Sequence, residues 1–445
     1  MKAAIRKHQE EQRMNYCFKK ANVTLLCGFA VLVLAAVAVA DWPQMAGPDR
    51  NNISAETGLA RTWPESGPPV LWTVPLGGGF ASPSILDGKV YLLDRVGEEQ
   101  DKLRCFDLET GEELWHYAYD APGSVSHDGS RTAPTVAGNR LYCVGLFGHF
   151  TCLDLTTRQP VWSKNICSDF GVDTPKWGVA QAPSLYKNLV IVAPQAPDAF
   201  VVAYDKDSGE IVWKTKELGG VGYSTPVIVT LCGVDQAVMI NAPPREDAGT
   251  GSVNGISLED GSLLWSYHNW QCKIPIPYAM ALPEDRLFIT GGYRAGSAMI
   301  QLRREGERFT VRELFRTDAC GSQIQQPLFY QGHLYVNSNS NEREDGMMCL
   351  TLDGSILWQT RDKSQAFFST PFERGPLMLA DNLILNLDGK RGDLYLIEPS
   401  PEGYKELAKA HVLDGRSLWS PMALSRGRLL VRSGEQLKCL EVKAP

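Results

Sequence analysis

Ser82-Pro83-Ser84-Ile85-Leu86-Asp87-Gly88-Lys89-Val90-Tyr91-Leu92-Leu93 is followed, after a variable loop, by Leu103-Arg104-Cys105-Phe106-Asp107-Leu108-Glu109-Thr110-Gly111-Glu112-Glu113-Leu114-Trp115-His116-Tyr117. The two stretches read as four short strands. Asp87-Gly88 supplies the positive φ of a tight hairpin, and Thr110-Gly111 does the same before the last strand. The turn-to-tryptophan signature recurs with fixed spacing: Asp107 to Trp115, Asp154 to Trp162, Asp205 to Trp213 and Ser257 to Trp265 are each eight apart. Gly111, Gly209, Gly261 and Gly354 each precede a tryptophan by four.

Outward from this unit, the opening proline repeats as Pro83, Pro134, Pro183, Pro226, Pro277, Pro327, Pro376 and Pro421, at intervals of 51, 49, 43, 51, 50, 49 and 45. Pro371 competes with Pro376 for the seventh position. A period near 50 with four strands per unit is the mark of a β-propeller blade. The expected fold is therefore all-β: an eight-bladed propeller of four-stranded antiparallel blades. Seven blades remain the alternative, because Phe315 and Leu407 stand where tryptophans are expected and mark degraded units. The last unit stops after its third strand, whereas Val70-Leu71-Trp72-Thr73-Val74 precedes any first three. That N-terminal strand is expected to complete the last blade and leave no open sheet edge. Trp72, Trp115, Trp162, Trp213, Trp265 and Trp358 are expected as docking residues between blades, since each indole covers a large area.

The 445 residues are 44% apolar and 21% charged, an ordinary globular composition. Lys plus Arg is 44 against 51 for Asp plus Glu, with no basic block, which argues against nucleic acid as a partner. Residues 21–40 carry no charge and follow Lys19-Lys20, and the run ends in Ala38-Val39-Ala40. This is the order of a secretory signal cut before Asp41, and an uncleaved anchor helix is the competing reading. Residues 1–40 are thus expected as signal peptide or signal anchor, 41–69 as a lead-in and 70–445 as the propeller, exported and periplasmic, with any membrane contact made through the N-terminal segment. Without residues 1–40 the balance is 38 basic against 49 acidic, a formal −11. Cys105, Cys152, Cys349 and Cys439 share one strand context and read as buried apolar fillers. No C-x-x-C occurs, which removes the usual support for zinc or c-type haem.

The pattern Asp107-x-x-Thr110-Gly111-x-x-x-Trp115 resembles the tryptophan-docking motif of the pyrroloquinoline quinone (PQQ) repeat propellers. The opening Trp42-Pro43-x-x-x-x-Pro48 and the stretch to Trp72 are similar to the lead-in of exported bacterial members. The resemblance covers residues 42–445 and implies the fold more than an activity, because the motif lies in the blade walls. It implies one of two functions. In the quinoprotein dehydrogenases a central funnel holds PQQ and calcium, with an aspartate as general base. In propellers such as the lipoprotein of the outer-membrane protein assembly machinery, the ring binds proteins without redox chemistry.

The sequence lacks the adjacent cysteines and the Cys-x-x-Cys-His of many quinone-dependent dehydrogenases, and it has no H-E-x-x-H, phosphate loop or nucleophile elbow. Asp205-Lys206-Asp207-Ser208-Gly209 begins like a calcium loop, but Lys216 at position twelve supplies no carboxylate, so it reads as a turn. The polar run Asn337–Asn341 with Glu342-Arg343-Glu344-Asp345 reads as a solvated loop. No catalytic residue and no metal ligand is assigned. The residues flanking each opening proline sit where the inner strands meet the channel mouth. There Phe80, Arg131, Trp177, Tyr223, Tyr278, Gln325, Phe367, Phe368 and Trp419 are the candidate funnel-face residues, of types common at protein contacts. Whether they bind a partner or plug the channel is open from sequence. The expected role is a non-catalytic scaffold that binds a protein partner of the envelope or a polymer through its funnel, without cofactor. The alternatives are a PQQ- and calcium-dependent dehydrogenase acting on an alcohol or sugar, and a propeller that binds polysaccharide.

Overall fold

The computed structural model describes residues 40–127, 129–243, 253–340, 343–361 and 371–444. Phe367, Phe368 and the N-terminal segment read as a signal lie outside the described residues. Eight sheets follow one another around the ring, and seven blades are excluded. The first blade comprises Ser84–Leu86, Lys89–Val96, Gln100–Asp107 and Glu113–Asp120, all antiparallel. The degraded units still form sheets: Phe315 lies in the blade from Met280–Leu282 to Arg308–Thr317, and Leu407 in the one from Leu377–Ala380 to Glu406–His411. Pro376, not Pro371, directly precedes the inner strand of the seventh blade.

Closure follows the expected arithmetic. Val70–Pro75 is the outer strand of the eighth blade, with Trp72 opposite Cys439 and Thr73 opposite Lys438. The same pairing explains the cysteines. Cys105 faces Trp115, Cys152 faces Trp162 and Cys349 faces Trp358, with a register shift beside each pair. A small buried side chain leaves room for the indole opposite it, and a bulge turns the outer strand at that point. Ala203 and Gly255 take the same place opposite Trp213 and Trp265.

The tryptophans divide into kinds. Trp72, Trp162 and Trp213 are buried, and each donates its indole N–H to a carbonyl of the next blade, Leu108 at 2.9 Å, Lys206 at 3.1 Å and Leu258 at 3.0 Å. Trp358 reaches Ser400 O at 2.8 Å but is only half-buried. Trp265 is buried yet bonds Gln236 Oε1 within its own blade, and Trp115 is half-buried. These departures have local causes. The loop facing Trp115 carries Arg158 where others carry glycine, and the blade after Trp265 has long outer strands, Gly296–Glu305 and Arg308–Thr317.

At the axis, the residue after the opening proline ties each of the first three blades to the next. Ser84 Oγ donates to Pro134 O at 2.5 Å, Thr135 Oγ1 to Pro183 O at 2.8 Å and Ser184 Oγ to Pro226 O at 2.5 Å. These buried hydroxyls satisfy carbonyls whose lone pairs would otherwise be stranded.

The polar run near residue 340 is not a solvated loop. His333–Ser340 and Arg343–Leu350 are long paired strands, and Asn337, Ser338, Asn339 and Asp345 are buried. Asn337 Nδ2 donates to Gly375 O at 2.8 Å and to Asn386 Oδ1 at 2.9 Å, so its amide joins two blades. Hydrogen bonding makes burial of these amides tolerable.

Candidate functional site

The lead-in crosses one end of the channel as a strap. Trp42, fully buried, exchanges both backbone hydrogen bonds with Ile85 of the first blade, at 2.9 and 2.7 Å. Pro43 O accepts from Val136 N in the second blade, and Arg50 Nη2 donates to Pro183 O of the third at 2.6 Å. Tyr278 Oη of the fifth blade donates to Arg50 O at 2.7 Å, and Asn52 Nδ2 donates to Gln326 O at 3.4 Å. Ile53–Ser54 then pairs in parallel with Leu379-Ala380 of the seventh blade, and Glu56 accepts from Arg426 N and Gly427 N of the eighth. Ala46, Arg50 and Asn52 all adopt left-handed backbone, at φ 62°, 51° and 58°. Three non-glycine residues in that region within one short segment are held there only by their surroundings.

The strap forms part of the wall of a central cavity of about 360 Å³. Met45, Ala46 and Asn52 of the strap belong to its lining. Phe80, Arg131, Trp177, Tyr223, Tyr278, Gln325 and Trp419 line the same cavity, so the structure brings together every candidate funnel residue that it describes. The sequence reading missed the strap, along with His127, Tyr293, Gln323 and Arg374, which also line it. Arg374 was findable, because it stands two residues before its opening proline, in the same zone as Arg131. Nothing local marks the strap as a channel element.

One wall is a column. The rings of Phe80 and Trp419 stack at 5.7 Å and 19°, Arg131 lies 5.4 Å over Phe80, and Arg374 lies 5.2 Å over Trp419. Arg131 is held by Gly129 O at 2.5 Å and Ser126 O at 3.0 Å and also reaches His127 O. Arg374 Nε donates to Gln323 Oε1 at 2.9 Å, and its Nη1 pairs with Glu373 at 2.5 Å. Gln325 ties the column to its neighbours by donating to Arg374 O at 3.0 Å and to Trp419 O at 2.7 Å. Across the mouth, Trp177 and Tyr223 meet at 5.4 Å, with Lys176 Nζ 5.1 Å over the indole. Guanidinium and ammonium groups over ring faces gain from the π quadrupole.

Burial sets the titration of the interior. It pushes the Tyr278 and Tyr223 phenols above their ordinary range, and it lowers the Arg50 guanidinium to about 10. Each of these is a cost of desolvating the charged form.

A calcium ion needs hard oxygen ligands, normally carboxylates, and an aspartate base must stand at the cavity wall. Among the described residues no Asp or Glu lines the cavity, and none form a group suited to a metal. The nearest carboxylate of the column, Glu373, is engaged by Arg374 and by the Trp419 indole N–H at 3.4 Å. The described lining therefore does not fit a calcium–quinone centre.

The family model described as "Outer membrane protein assembly factor BamB" matches residues 65–193 and 99–269. Quinohemoprotein alcohol dehydrogenase ADH IIB of Pseudomonas putida is 26% identical over 143 residues, 30% of this chain and 19% of that protein. Outer membrane protein assembly factor BamB of Aliivibrio fischeri (strain ATCC 700601 / ES114) is 32% identical over 94 residues, 20% of this chain and 23% of that protein. The matches thus span about a fifth of the length of these curated relatives. Among solved structures, a europium-containing methanol dehydrogenase superposes with a TM-score of 0.66 at 13% identity, covering 88% of this chain and 89% of that one, which shows the fold. Repeat, blade count and matches agree: residues 65–269 are similar to the PQQ-repeat sequences, and the chain folds as an eight-bladed β-propeller.

Proposed function

We propose that this chain is an exported, non-catalytic propeller scaffold that holds a protein partner of the cell envelope at its central cavity. The observation that carries this reading is the lining. Aromatic, guanidinium and amide groups converge in one concave site, and no described carboxylate stands there to serve a metal or a base. Trp, Tyr and Arg in a desolvated recess are the side chains that dominate protein contacts. The likeness to the BamB of Aliivibrio fischeri supports the same direction. Export rests on the charge-free run at residues 21–40 behind Lys19-Lys20. In this reading residues 1–40 are the targeting segment, residues 41–69 the strap and approach, and the remainder the ring.

The test is capture of a partner from an envelope extract by the wild-type ring and by Trp177→Ala. The reading expects capture to be lost with the melting temperature unchanged. Retained capture moves the contact off the cavity. A second reading, dehydrogenase chemistry, draws on the likeness to ADH IIB of Pseudomonas putida. Incubation with PQQ and calcium, followed by dye reduction with simple alcohols, decides it: turnover would replace the scaffold reading.

A further inference from the structure

Two tyrosines of the cavity wall each have a proton to give. Gly292-Tyr293-Arg294-Ala295 forms the turn between strands Arg286–Gly291 and Gly296–Glu305, closed by Ala295 N donating to Gly292 O at 3.0 Å. Its central residues, Tyr293 and Arg294, hold φ at 55° and 64°. Such a turn normally takes Asn-Gly, and a bulky side chain in left-handed backbone is strained, a feature that clusters at ligand sites. The turn also lies so close to Gln323 that a Cβ on Gly292 would stand 2.6 Å from that side chain. There Gln323 Nε2 donates to Tyr293 Oη at 3.1 Å. The amide cannot turn round, because its Oε1 accepts from Arg374 Nε at 2.9 Å and a guanidinium only donates. Tyr293 Oη is therefore the acceptor, and its own proton is left over. Tyr223 Oη likewise accepts, from Trp177 N at 3.4 Å. Among the described residues neither phenol donates to anything. Both side chains are half-buried and line the cavity. Burial pushes the Tyr223 phenol above its ordinary range, with the Tyr293 phenol adding to it, so Tyr223 stays a donor at neutral pH. Much of the remaining wall is aliphatic: Met45, Ala46, Ile274, Ile276 and Ile324. The guanidiniums are already held, Arg131 by Gly129, Ser126 and His127 and Arg374 by Gln323 and Glu373. A volume of about 360 Å³ lies in the range of small-ligand sites.

We propose that the central cavity binds a small, neutral aliphatic ester whose carbonyl oxygen accepts from the Tyr223 and Tyr293 hydroxyls while its hydrocarbon part lies against the isoleucine wall. A carbonyl oxygen has two lone pairs, one for each phenol. A neutral acceptor suits an aliphatic wall better than a carboxylate, whose desolvation the wall does nothing to offset. Such a ligand goes beyond the protein partner of the scaffold reading and does not depend on it.

The test uses the full chain and three probes of one length: methyl hexanoate, its carbonyl-free counterpart 1-methoxyhexane, and the hexanoate anion. Saturation-transfer NMR and tryptophan fluorescence, which reports through Trp177 and Trp419 of the lining, read the binding. The ester is expected to bind about tenfold more tightly than the ether, as two added hydrogen bonds allow, and more tightly than the anion. Tyr223→Phe and Tyr293→Phe should each weaken the ester about threefold and leave the ether and the melting temperature unchanged, a pattern that a merely structural role for the phenols would not produce. Equal binding of ester and ether, preference for hexanoate, an unaltered ester affinity in both variants, or no binding of any probe overturns the inference. Capture of a protein through Trp177 is scored separately. If the probes fail and capture persists, the ester site falls and the scaffold stands; if the ester binds as expected and nothing is captured, the reverse holds.

Discussion

Trp72 lies on Gly111 of the neighbouring blade so closely that a Cβ placed on that glycine would stand 2.7 Å from the indole ring. The glycine also holds φ at 73°, and Trp72 donates to Leu108 O in the same turn. Gly209 beneath Trp162, Gly261 beneath Trp213 and Gly354 beneath Phe315 repeat the arrangement, at 2.8, 2.7 and 2.6 Å. The glycine that precedes each blade's own tryptophan therefore serves the aromatic ring of the blade before it.

Gly111→Ala should destabilise the ring by about 2 to 4 kcal/mol, combining an unfavourable φ with overpacking against the indole. Gly332→Ala, at φ 81° with open space around it, should cost about 1 kcal/mol from the backbone alone. Denaturant unfolding of both variants checks the difference, and equal losses would mean that the indole contact adds nothing.

Trp213→Ala should cost about 3 to 5 kcal/mol, since the side chain is buried and hydrogen-bonded across the blade interface. Trp115→Ala should cost markedly less, because that ring is half-exposed and no indole hydrogen bond ties it to the next blade. Calorimetric melting of the pair decides it; the reverse order would contradict the division of the tryptophans drawn above.

Trp42→Ala should cost about 3 to 5 kcal/mol and also loosen the cavity floor, because the fully buried ring seats the strap on the first blade. Hydrogen exchange is the measurement. Amides of Ala60 and Leu379, which bond across the strap, should lose protection before those of the outer strands. Uniform loss across the ring would deny the strap a separate role.

Acid should weaken the turns. Asp154 accepts backbone hydrogen bonds from Thr157 and Thr156, with Arg140 beside it, and these hold its carboxyl down to about 2 from an ordinary 3.8. A carboxyl with a lowered folded value contributes stability that is present above pH 3.8 and lost as pH falls toward 2. Asp154→Asn should flatten the stability curve in that window and leave it parallel to wild type above pH 5 (about one unit above the ordinary value). An unchanged acid limb would contradict the assignment.

Much of the ring was legible because its geometry is written locally and repeatedly. An Asp-Gly or Thr-Gly turn, a small residue opposite a tryptophan and a proline before each inner strand are short-range requirements, and each blade states them again. Trp265 and Trp115 departed from the pattern where the facing blade changed, at the long strands Gly296–Glu305 and Arg308–Thr317 and at Arg158. Asn337 and Asp345 were misread because a polar run looks the same whether water or a neighbouring amide such as Asn386 satisfies it. The strap was invisible for a related reason. Arg50 meets Pro183 and Tyr278, and Asn52 meets Gln326, at separations that no local spacing records. The candidate cavity residues, by contrast, were reachable, since each described one lies within six residues of an opening proline, where the blade meets the axis.

The most direct test replaces Trp177 with a photoreactive phenylalanine analogue in living cells, and places the same analogue at the exposed Leu263 on an outer strand as the comparison. Illumination is expected to yield one discrete protein adduct from the cavity position and none from the outer strand. Adducts from the outer strand alone, or none from either place, would contradict a scaffold that works through its central cavity.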